Sequence, residues 1–133
     1  MLKAVIDTNI WISALLKSSL TRPVLEAFIK EKFTPVISNE LLKELNDTLN
    51  KSEIAELIKP DDAKELIALI AEKSKRVEPA VTLKICRDPE DNFILALSKA
   101  SGTPLVTLDK DLLVLSKEFN IISPGEFLKL LKR

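Results

Sequence analysis

The stretch KAVIDTN, residues 3–9, decides how this chain folds. It begins as a short apolar run, which is typical of a buried strand, and it stops at an acid, Asp7, followed by two small polar residues. Open α/β sheets bind their ligands beyond the carboxyl ends of their strands. Asp7 is therefore the first candidate for a functional residue.

A second stretch of the same kind, PLVTLD, occupies residues 104–109. This run also ends in an acid, Asp109, and a further acid, Asp111, follows it. Two parallel strands of one sheet would present their terminal acids to the same crevice. The sequence leaves open whether these two strands are neighbours.

Strands alternate with helices along the rest of the chain, which predicts a mainly parallel sheet covered by helices on both faces, a three-layer α/β/α sandwich. The strands are predicted at residues 3–6, 33–37, 105–108 and 121–122, with one or two more within 77–85. The helices are predicted at residues 9–16, 21–32, 39–50, 52–58, 60–75, 88–100 and 110–117, and after a capping box at 123–126. The two helices within residues 52–75 are predicted to form a hairpin that projects from the sheet.

The composition indicates a single domain, residues 1–133, whose 46% hydrophobic residues are enough for a core. The 20 Lys and Arg residues balance the 20 Asp and Glu residues. No net charge therefore attracts nucleic acid or a membrane surface, and such a partner would need a local patch. No apolar run reaches the roughly 18 residues of a spanning helix, so we expect no membrane association.

The chain contains no histidine and one cysteine, Cys86. Serine and cysteine catalysis that relies on a histidine base is excluded, and so is nearly every zinc site. An internal disulfide is excluded too, and no signal-like apolar segment follows Met1, so we expect a cytoplasmic location. Carboxylates, lysines, hydroxyls and a hard metal ion remain for catalysis.

The acids that follow the strands also have a purely structural alternative. Asp7 could be the N-cap of the helix after it, and Asp109 could cap the helix that begins at Lys110. Asp111 could simply favour the positive end of that helix. However, acids two residues apart, directly after a buried strand, also suit the binding of a metal through oxygen.

Three further acids belong to predicted helices. Asp88 and Asp91 both open the helix at residues 88–100, and helix capping alone would explain one of them. That helix is too apolar to lie anywhere but inside, so Asp91 is expected near the end of the sheet. Glu44 lies at the edge of the leucine stripe of the helix at residues 39–50, where it is the acid best placed to reach inward, although a glutamate at such a boundary is usually solvated.

Several carboxylates that converge without histidine or thiolate partners form the ligand set of Mg²⁺ or Mn²⁺. Such an ion lowers the pKa of a bound water and neutralises charge on a phosphate in the transition state. A protein without a histidine base would need this chemistry from its metal. We therefore expect a Mg²⁺ or Mn²⁺ site among these acids.

The order of these motifs resembles the PIN domain family, and within it the small prokaryotic proteins of the VapC-like toxin type. The resemblance covers residues 4–122, nearly the whole chain. It rests on Asp7, Thr8 and Asn9 after the first strand, Glu44 in a leucine-rich helix, Asp91 at the start of an apolar helix, and Thr107, Asp109 and Asp111 after a late strand.

The resemblance implies metal-dependent cleavage of single-stranded RNA by an endoribonuclease, the toxin of a toxin–antitoxin pair. The residues in the positions of the family's acidic ligands are Asp7, Glu44, Asp91 and Asp109. The residues in its other site positions are Thr8, Asn9 and Thr107 as supporting polar groups, Asp111 as a frequent extra acid and Asp88 as the alternative to Asp91.

An antitoxin protein as partner and a homodimer follow from the same resemblance. The homodimer has a second motive, because the early helices carry more apolar side chains than one small core needs. These side chains are Ile12, Leu15, Leu16, Leu25 and Phe28.

RNA would have to bind a local basic group, although each such group also suits a solvated helix face. The two groups are Lys73, Lys75, Arg76, Lys84 and Arg87 in the middle of the chain, and Lys129, Lys132 and Arg133 at its end. Two rival functions also remain. One is a non-catalytic PIN-fold module that binds nucleic acid or a partner, and the other is an aspartyl phosphotransfer protein with Asp7 as its nucleophile.

Overall fold

The structure is a computed structural model that describes residues 1–80 and 89–132. Of the acids singled out above, Asp88 lies outside the described residues. The same holds for Lys84, Arg87 and Arg133 of the basic groups.

Five parallel strands form one sheet in the order β3-β2-β1-β4-β5. They are β1 (Lys3–Ile6), β2 (Thr34–Ile37), β3 (Lys75–Arg76), β4 (Leu105–Val106) and β5 (Ile121–Ile122). Of the strand predicted within residues 77–85, residues 77–80 form no strand, and residues 81–85 lie outside the described part of the chain. Strand β3 precedes this stretch and ends at Arg76.

The helices follow the predicted order with shorter ends. They are α1 (Thr8–Leu15), α2 (Arg22–Ile29), α3 (Asn39–Leu49), α4 (Ser52–Ala55), α5 (Pro60–Lys73), α6 (Pro89–Ser101), α7 (Lys110–Leu113) and α8 (Pro124–Leu131). Helix α6 stops where predicted, because Gly102 follows it with a φ of +67°, a conformation that glycine adopts without strain.

The strand order makes the sheet doubly wound. The chain moves outward from β1 to β2 and β3, and then crosses to the other side of β1 to form β4 and β5. Because parallel crossovers are right-handed, this reversal places helices on both faces of the sheet. The three-layer α/β/α prediction is confirmed, and the strand order reverses between β1 and β4.

Strand β1 lies at the centre of the core. Its residues Ala4, Val5 and Ile6 are all buried, as expected for a parallel strand that is covered on both faces. Helix α6 packs against β1, β2 and β4. A chain of aromatic rings, in contact from Trp11 to Phe28, Phe33 and Phe127, joins α1, α2, the start of β2 and α8.

The predicted hairpin does not project from the sheet. Helix α5 packs against α3 and β2, and its Leu66 and Ile70 are buried in the main core. Helix α4 has one turn and is shorter than the predicted helix at residues 52–58. It contains no buried residue, although Ile58 just after it is buried. An apolar stripe on α5 can be buried only against another element, and α3 and strand β2 provide that surface.

The second argument for a homodimer, the surplus of apolar side chains in the early helices, is wrong. A single chain already buries most of these side chains. Ile12, Leu25 and Phe28 lie in the core, and Leu15 packs against it. Only Leu16 of this set is exposed. The homodimer therefore stays a prediction that depends on the family resemblance.

None of the helices within residues 1–80 and 89–132 combines the length and the hydropathy needed to span a bilayer.

Candidate active site

The acids of the two stretches at residues 3–9 and 104–109 come together because β1 and β4 are neighbours. In their parallel register Val5 lies opposite Leu105 and Ile6 opposite Val106. The ladder continues one step further, where the backbone N–H of Asp7 donates to the carbonyl of Val106 at 3.0 Å. Asp7 therefore lies at the carboxyl end of the sheet, at the point where the strand order reverses and where such sheets bind ligands.

Thr107 connects the two acids. Its side chain is fully buried. Its hydroxyl donates a hydrogen bond of 2.6 Å to Oδ2 of Asp7, and its Oγ1 accepts one of 3.0 Å from the backbone N–H of Asp109. A short hydrogen bond to a charged acceptor is among the stronger ones, so Thr107 fixes the Asp7 carboxylate in one orientation.

Asp109 caps the helix after it, whereas Asp7 occupies the N-cap position of α1 with its carboxylate bonded to Thr107. The side chain of Asp7 makes no capping hydrogen bond to α1, although the residue occupies the N-cap position. Asp109 does cap α7, since its Oδ1 accepts from the backbone N–H of Asp111 at 2.9 Å. Asp109 is half-buried and the Asp111 residue is exposed.

The carboxylate of Asp7 is held in an unfavourable environment. Burial raises its pKa above the usual value, and the nearby charge of Asp109 adds to the rise. Hydrogen bonds from Thr107 and from the backbone of Asn9 and Thr8 lower the pKa and offset part of this rise. A buried carboxylate with a like charge beside it is the arrangement that a cation would relieve.

The residue that follows Asp7 carries a buried polar atom that lacks a partner among the described residues. The hydroxyl oxygen of Thr8 is buried and has no hydrogen-bond partner among the residues that the structure describes. Such an atom is uncommon in a folded protein and indicates an absent water or ligand. Asn9, the third residue of the motif, is exposed.

Two more of the predicted acids lie on helices that pack against each other. Glu44 on α3 and Asp91 on α6 are both half-buried, and α3 contacts α6. Glu44 lines a cavity of about 400 Å³ between these helices. The cavity is also lined by Ser38, Asn39, Glu40, Leu41, Lys43, Asp47, Phe93 and Ile94.

The sequence around these residues identifies the protein family. Residues 3–111, from the start of β1 to the second residue of α7, match the PIN domain family. The chain belongs to the PIN domain family. The match ends just beyond Asp109, so it includes Asp7, Glu44, Asp91 and the Thr107 bridge.

This PIN domain is similar to two known proteins. It is 27% identical over 119 residues to Uncharacterized protein MJ1680 of Methanocaldococcus jannaschii, an alignment that covers 88% of this chain and 77% of that protein. It shares its fold with a chain in the crystal structure of VapBC2 from Rickettsia felis bound to a DNA fragment from their promoter. That match has a TM-score of 0.58 and 20% identity, and it covers 92% of this chain and 97% of the other.

The donors at the end of β1 and β4 suit a hard divalent cation. They are two carboxylates with fixed orientations, accompanied by the orphaned Thr8 hydroxyl. Within residues 1–80 and 89–132, however, no three acidic or thiol side chains gather into a group that could hold a metal ion. The addition of Glu44 and Asp91 to the Asp7 and Asp109 pair therefore stays a prediction.

The basic group in the middle of the chain is divided among different contacts. Lys73 forms an ion pair with Glu31. Arg76 is hydrogen-bonded at 2.5 Å to the side-chain oxygen of Asn39, and the Asn39 backbone N–H donates to a carboxylate oxygen of Glu78 at 2.8 Å. Because Asn39 lines the cavity, this network fixes one end of the cavity wall.

Sequence reasoning missed Phe93, which also lines the cavity. Phe93 belongs to a helix that the sequence predicts to be buried, but its side chain is exposed. Helical spacing gave no signal for this exposure, because Ala96 and Leu97, three and four residues later on the same side of α6, are buried.

Proposed function

We propose that this PIN domain protein is a Mg²⁺- or Mn²⁺-dependent endoribonuclease that cleaves single-stranded RNA. PIN domains are generally nucleases. The observation that carries the proposal is the pair of acids, Asp7 and Asp109, which Thr107 connects at the point where the strand order of the sheet reverses. A half-buried acid pair in a chain without histidine suits metal-assisted hydrolysis better than catalysis by side chains alone.

Asp7 and Asp109 would hold the metal ion, and we expect Glu44 and Asp91 to complete its ligand set, with Asp111 as an additional acid. When bound, Mg²⁺ or Mn²⁺ supplies an activated water and neutralises charge on the phosphate that is attacked. The side chains of this chain provide the orientation. Thr107 fixes Asp7, and the backbone N–H of Asp111 fixes Asp109.

Thr107 would contribute to the reaction as a positioning residue. Its hydroxyl donates to Oδ2 of Asp7 and so fixes the orientation of the carboxylate. Groups that orient metal ligands in this way typically change metal affinity or activity about 10- to 100-fold when they are removed. Thr8 and Asn9 would support the site from the first turn of α1.

The fold shared with a chain of VapBC2 supports the more specific proposal that this nuclease is the toxin of a toxin–antitoxin pair. Its partners would then be an antitoxin protein and a second copy of the chain, and it would act on RNA in the cytoplasm. A small neighbouring gene that encodes a DNA-binding protein, together with co-purification of the two products, would support this assignment.

Incubation of the purified protein with single-stranded RNA tests the nuclease proposal. We expect cleavage with Mn²⁺ or Mg²⁺, none with EDTA, and a loss of several orders of magnitude in the Asp109→Asn variant, because an amide does not replace the charge that holds the ion. Double-stranded RNA and single-stranded DNA are the comparison substrates. A folded wild type that cleaves none of them with either metal would favour the non-catalytic PIN-fold module.

A pair of variants decides which aspartate is the third acid. Asp91→Asn should abolish Mn²⁺-dependent cleavage if Asp91 is the ligand, whereas Asp88→Asn should retain most of it. A melting experiment provides an independent readout, since loss of a metal ligand reduces the stabilisation by Mn²⁺ and loss of a helix cap does not. The reverse result would assign the ligand position to Asp88.

A further inference from the structure

Phe93 differs from the other aromatic residues of the chain. The chain has five Phe and one Trp. Four of these rings, Trp11, Phe28, Phe33 and Phe127, are at most 2% exposed, and Phe119 is half-buried, whereas Phe93 is 41% exposed. The protein thus leaves one ring largely in water while the other rings are shielded by the fold.

The exposed ring lies beside the predicted ligand Glu44. Phe93 on α6 and Glu44 on α3 line the same cavity of about 400 Å³. Sites for small molecules typically measure about 300 to 1,000 Å³, with an apolar surface and a few polar groups that orient the ligand. The cavity therefore has room for one base of a nucleic acid.

We propose that this cavity is a nucleobase subsite, in which the ring of Phe93 stacks against one unpaired base of the RNA. The inference deepens the proposed function and rests on it. Proteins that hold single-stranded nucleic acid combine basic contacts to the backbone with aromatic side chains on which bases stack, because every base offers a flat face. An unstacked base requires an exposed ring, and Phe93 is the aromatic residue that meets this condition.

The charges of the wall favour a base over a phosphate. Three carboxylates line the cavity, from Glu40, Glu44 and Asp47, and a single ammonium group, from Lys43. Lys43 also forms an exposed ion pair with Asp47 at 3.2 Å. This excess of negative charge repels phosphate but accepts hydrogen bonds from amino groups, so bases with an exocyclic amino group, cytosine, adenine and guanine, fit better than uracil.

The subsite adjoins the predicted catalytic acids. Glu44 belongs both to the cavity and to the predicted ligand set. A base held on Phe93 would therefore belong to a nucleotide at or next to the phosphate that is cleaved. Phe93 would then act as a binding residue that sets the position of the cut, with no part in the chemistry.

Binding of fluorescently labelled single-stranded oligoribonucleotides in EDTA tests the inference without cleavage. Phe93→Ala and Phe93→Leu should weaken binding about 5- to 150-fold, the range expected for the loss of one stacked base, whereas Phe93→Tyr keeps the ring and should bind normally. Leu20→Ala is the matched control, because Leu20 is an exposed apolar residue outside the cavity. The melting temperature of each variant verifies that it is folded.

An abasic scan identifies the contact more directly. Moving one abasic nucleotide along the oligonucleotide should reveal a position at which wild-type affinity falls, and Phe93→Ala should be insensitive at that position. Equal affinity of wild type and Phe93→Ala for intact RNA, while the wild type still cleaves RNA with Mn²⁺, would overturn the subsite and leave the nuclease proposal intact. A wild type that neither binds nor cleaves RNA would overturn both. Normal RNA binding by Phe93→Ala combined with a loss of self-association would also overturn the subsite and identify this face as an interface with a second copy.

Discussion

Strand β1 at the centre of the sheet and strand β5 at its edge end differently. Each strand is parallel to its neighbours and is followed directly by a helix of eight residues, α1 after β1 and α8 after β5. Ser123 at the end of β5 forms a complete capping box with Glu126, with both hydrogen bonds at 3.2 Å. Asp7 at the end of β1 has a side chain that could cap in the same way, but it accepts a hydrogen bond from Thr107 of the neighbouring segment.

The difference separates a residue that stabilises a helix from one that serves a site. Capping satisfies backbone N–H groups that would otherwise lack a partner, and Ser123 does this at a partly buried position without a charge. Asp7 forgoes this role and holds a buried negative charge near a second one, which raises its pKa. A destabilising carboxylate at the end of a central strand is typical of a functional position.

The largest expected effect is on catalytic activity, where Asp7 and Ser123 should differ most. Asp7→Asn should reduce Mn²⁺-dependent cleavage of RNA by several orders of magnitude, because the amide lacks the charge that binds the ion. Ser123→Ala should stay within a few-fold of the wild type, since the hydroxyl of Ser123 serves the capping box of α8. Initial rates at saturating Mn²⁺ measure both. Comparable losses in the two variants would mean that Asp7 acts through the fold alone.

The hydrogen bond to Asp7 can be removed without changing the acid. Thr107→Val keeps the shape of the side chain and loses the hydroxyl, so we expect about 10- to 100-fold lower activity. Thr107→Ser retains a hydroxyl and should recover most of this loss. The apparent Mn²⁺ affinity, obtained from rates at several metal concentrations, should move in the same order. Full activity of Thr107→Val would show that Asp7 is oriented without Thr107.

In the metal-free protein, substitutions at the two helix starts should change the free energy of unfolding in opposite directions. Ser123→Ala removes the capping box and should lower the free energy of unfolding by about 0.5 to 2 kcal/mol, with or without metal. Urea denaturation in EDTA and in Mn²⁺ measures this change. A change that depends on the metal would contradict the purely structural role of Ser123.

The smallest effect concerns the charge of Asp7 in the metal-free protein. Its pKa is raised in the folded state, so the folded state binds the proton more tightly than the unfolded chain, whose value lies near 3.8. The free energy of unfolding should therefore rise as the pH falls from neutral through the folded pKa towards that value, and it should decrease as the pH rises again. Asp7→Asn should abolish this dependence and stabilise the protein slightly at neutral pH.

Bound Mn²⁺ should reverse the effect of Asp7→Asn on stability, because the ion favours the ionised carboxylate. Melting temperatures of wild type and Asp7→Asn, each in EDTA and in Mn²⁺ across this pH range, provide the test. The variant should melt above the wild type in EDTA and below it in Mn²⁺. A variant that is less stable in both conditions would indicate that the carboxylate stabilises the fold.

Local signals in the sequence determined the order of strands and helices and many of their ends. Ser38 caps α3, the predicted capping box at Ser123 opens α8, and Gly102 ends α6. These features depend on contacts between residues three or four apart, which any folded context would preserve. The acid at the end of β1 was also readable from sequence, because the run of apolar residues stops there.

Only the tertiary structure decided which of these acids meet. Thr107 and Asp7 are 100 residues apart in the chain, and their hydrogen bond exists because β4 pairs with β1. The same holds for α5, whose apolar stripe is readable from sequence although its packing on β2 is not, and for Phe93, whose exposure depends on how α3 and α6 pack. Strand pairing and helix packing are chosen by the whole core at once, since each apolar face needs a partner from a distant part of the chain, and no local pattern contains that choice.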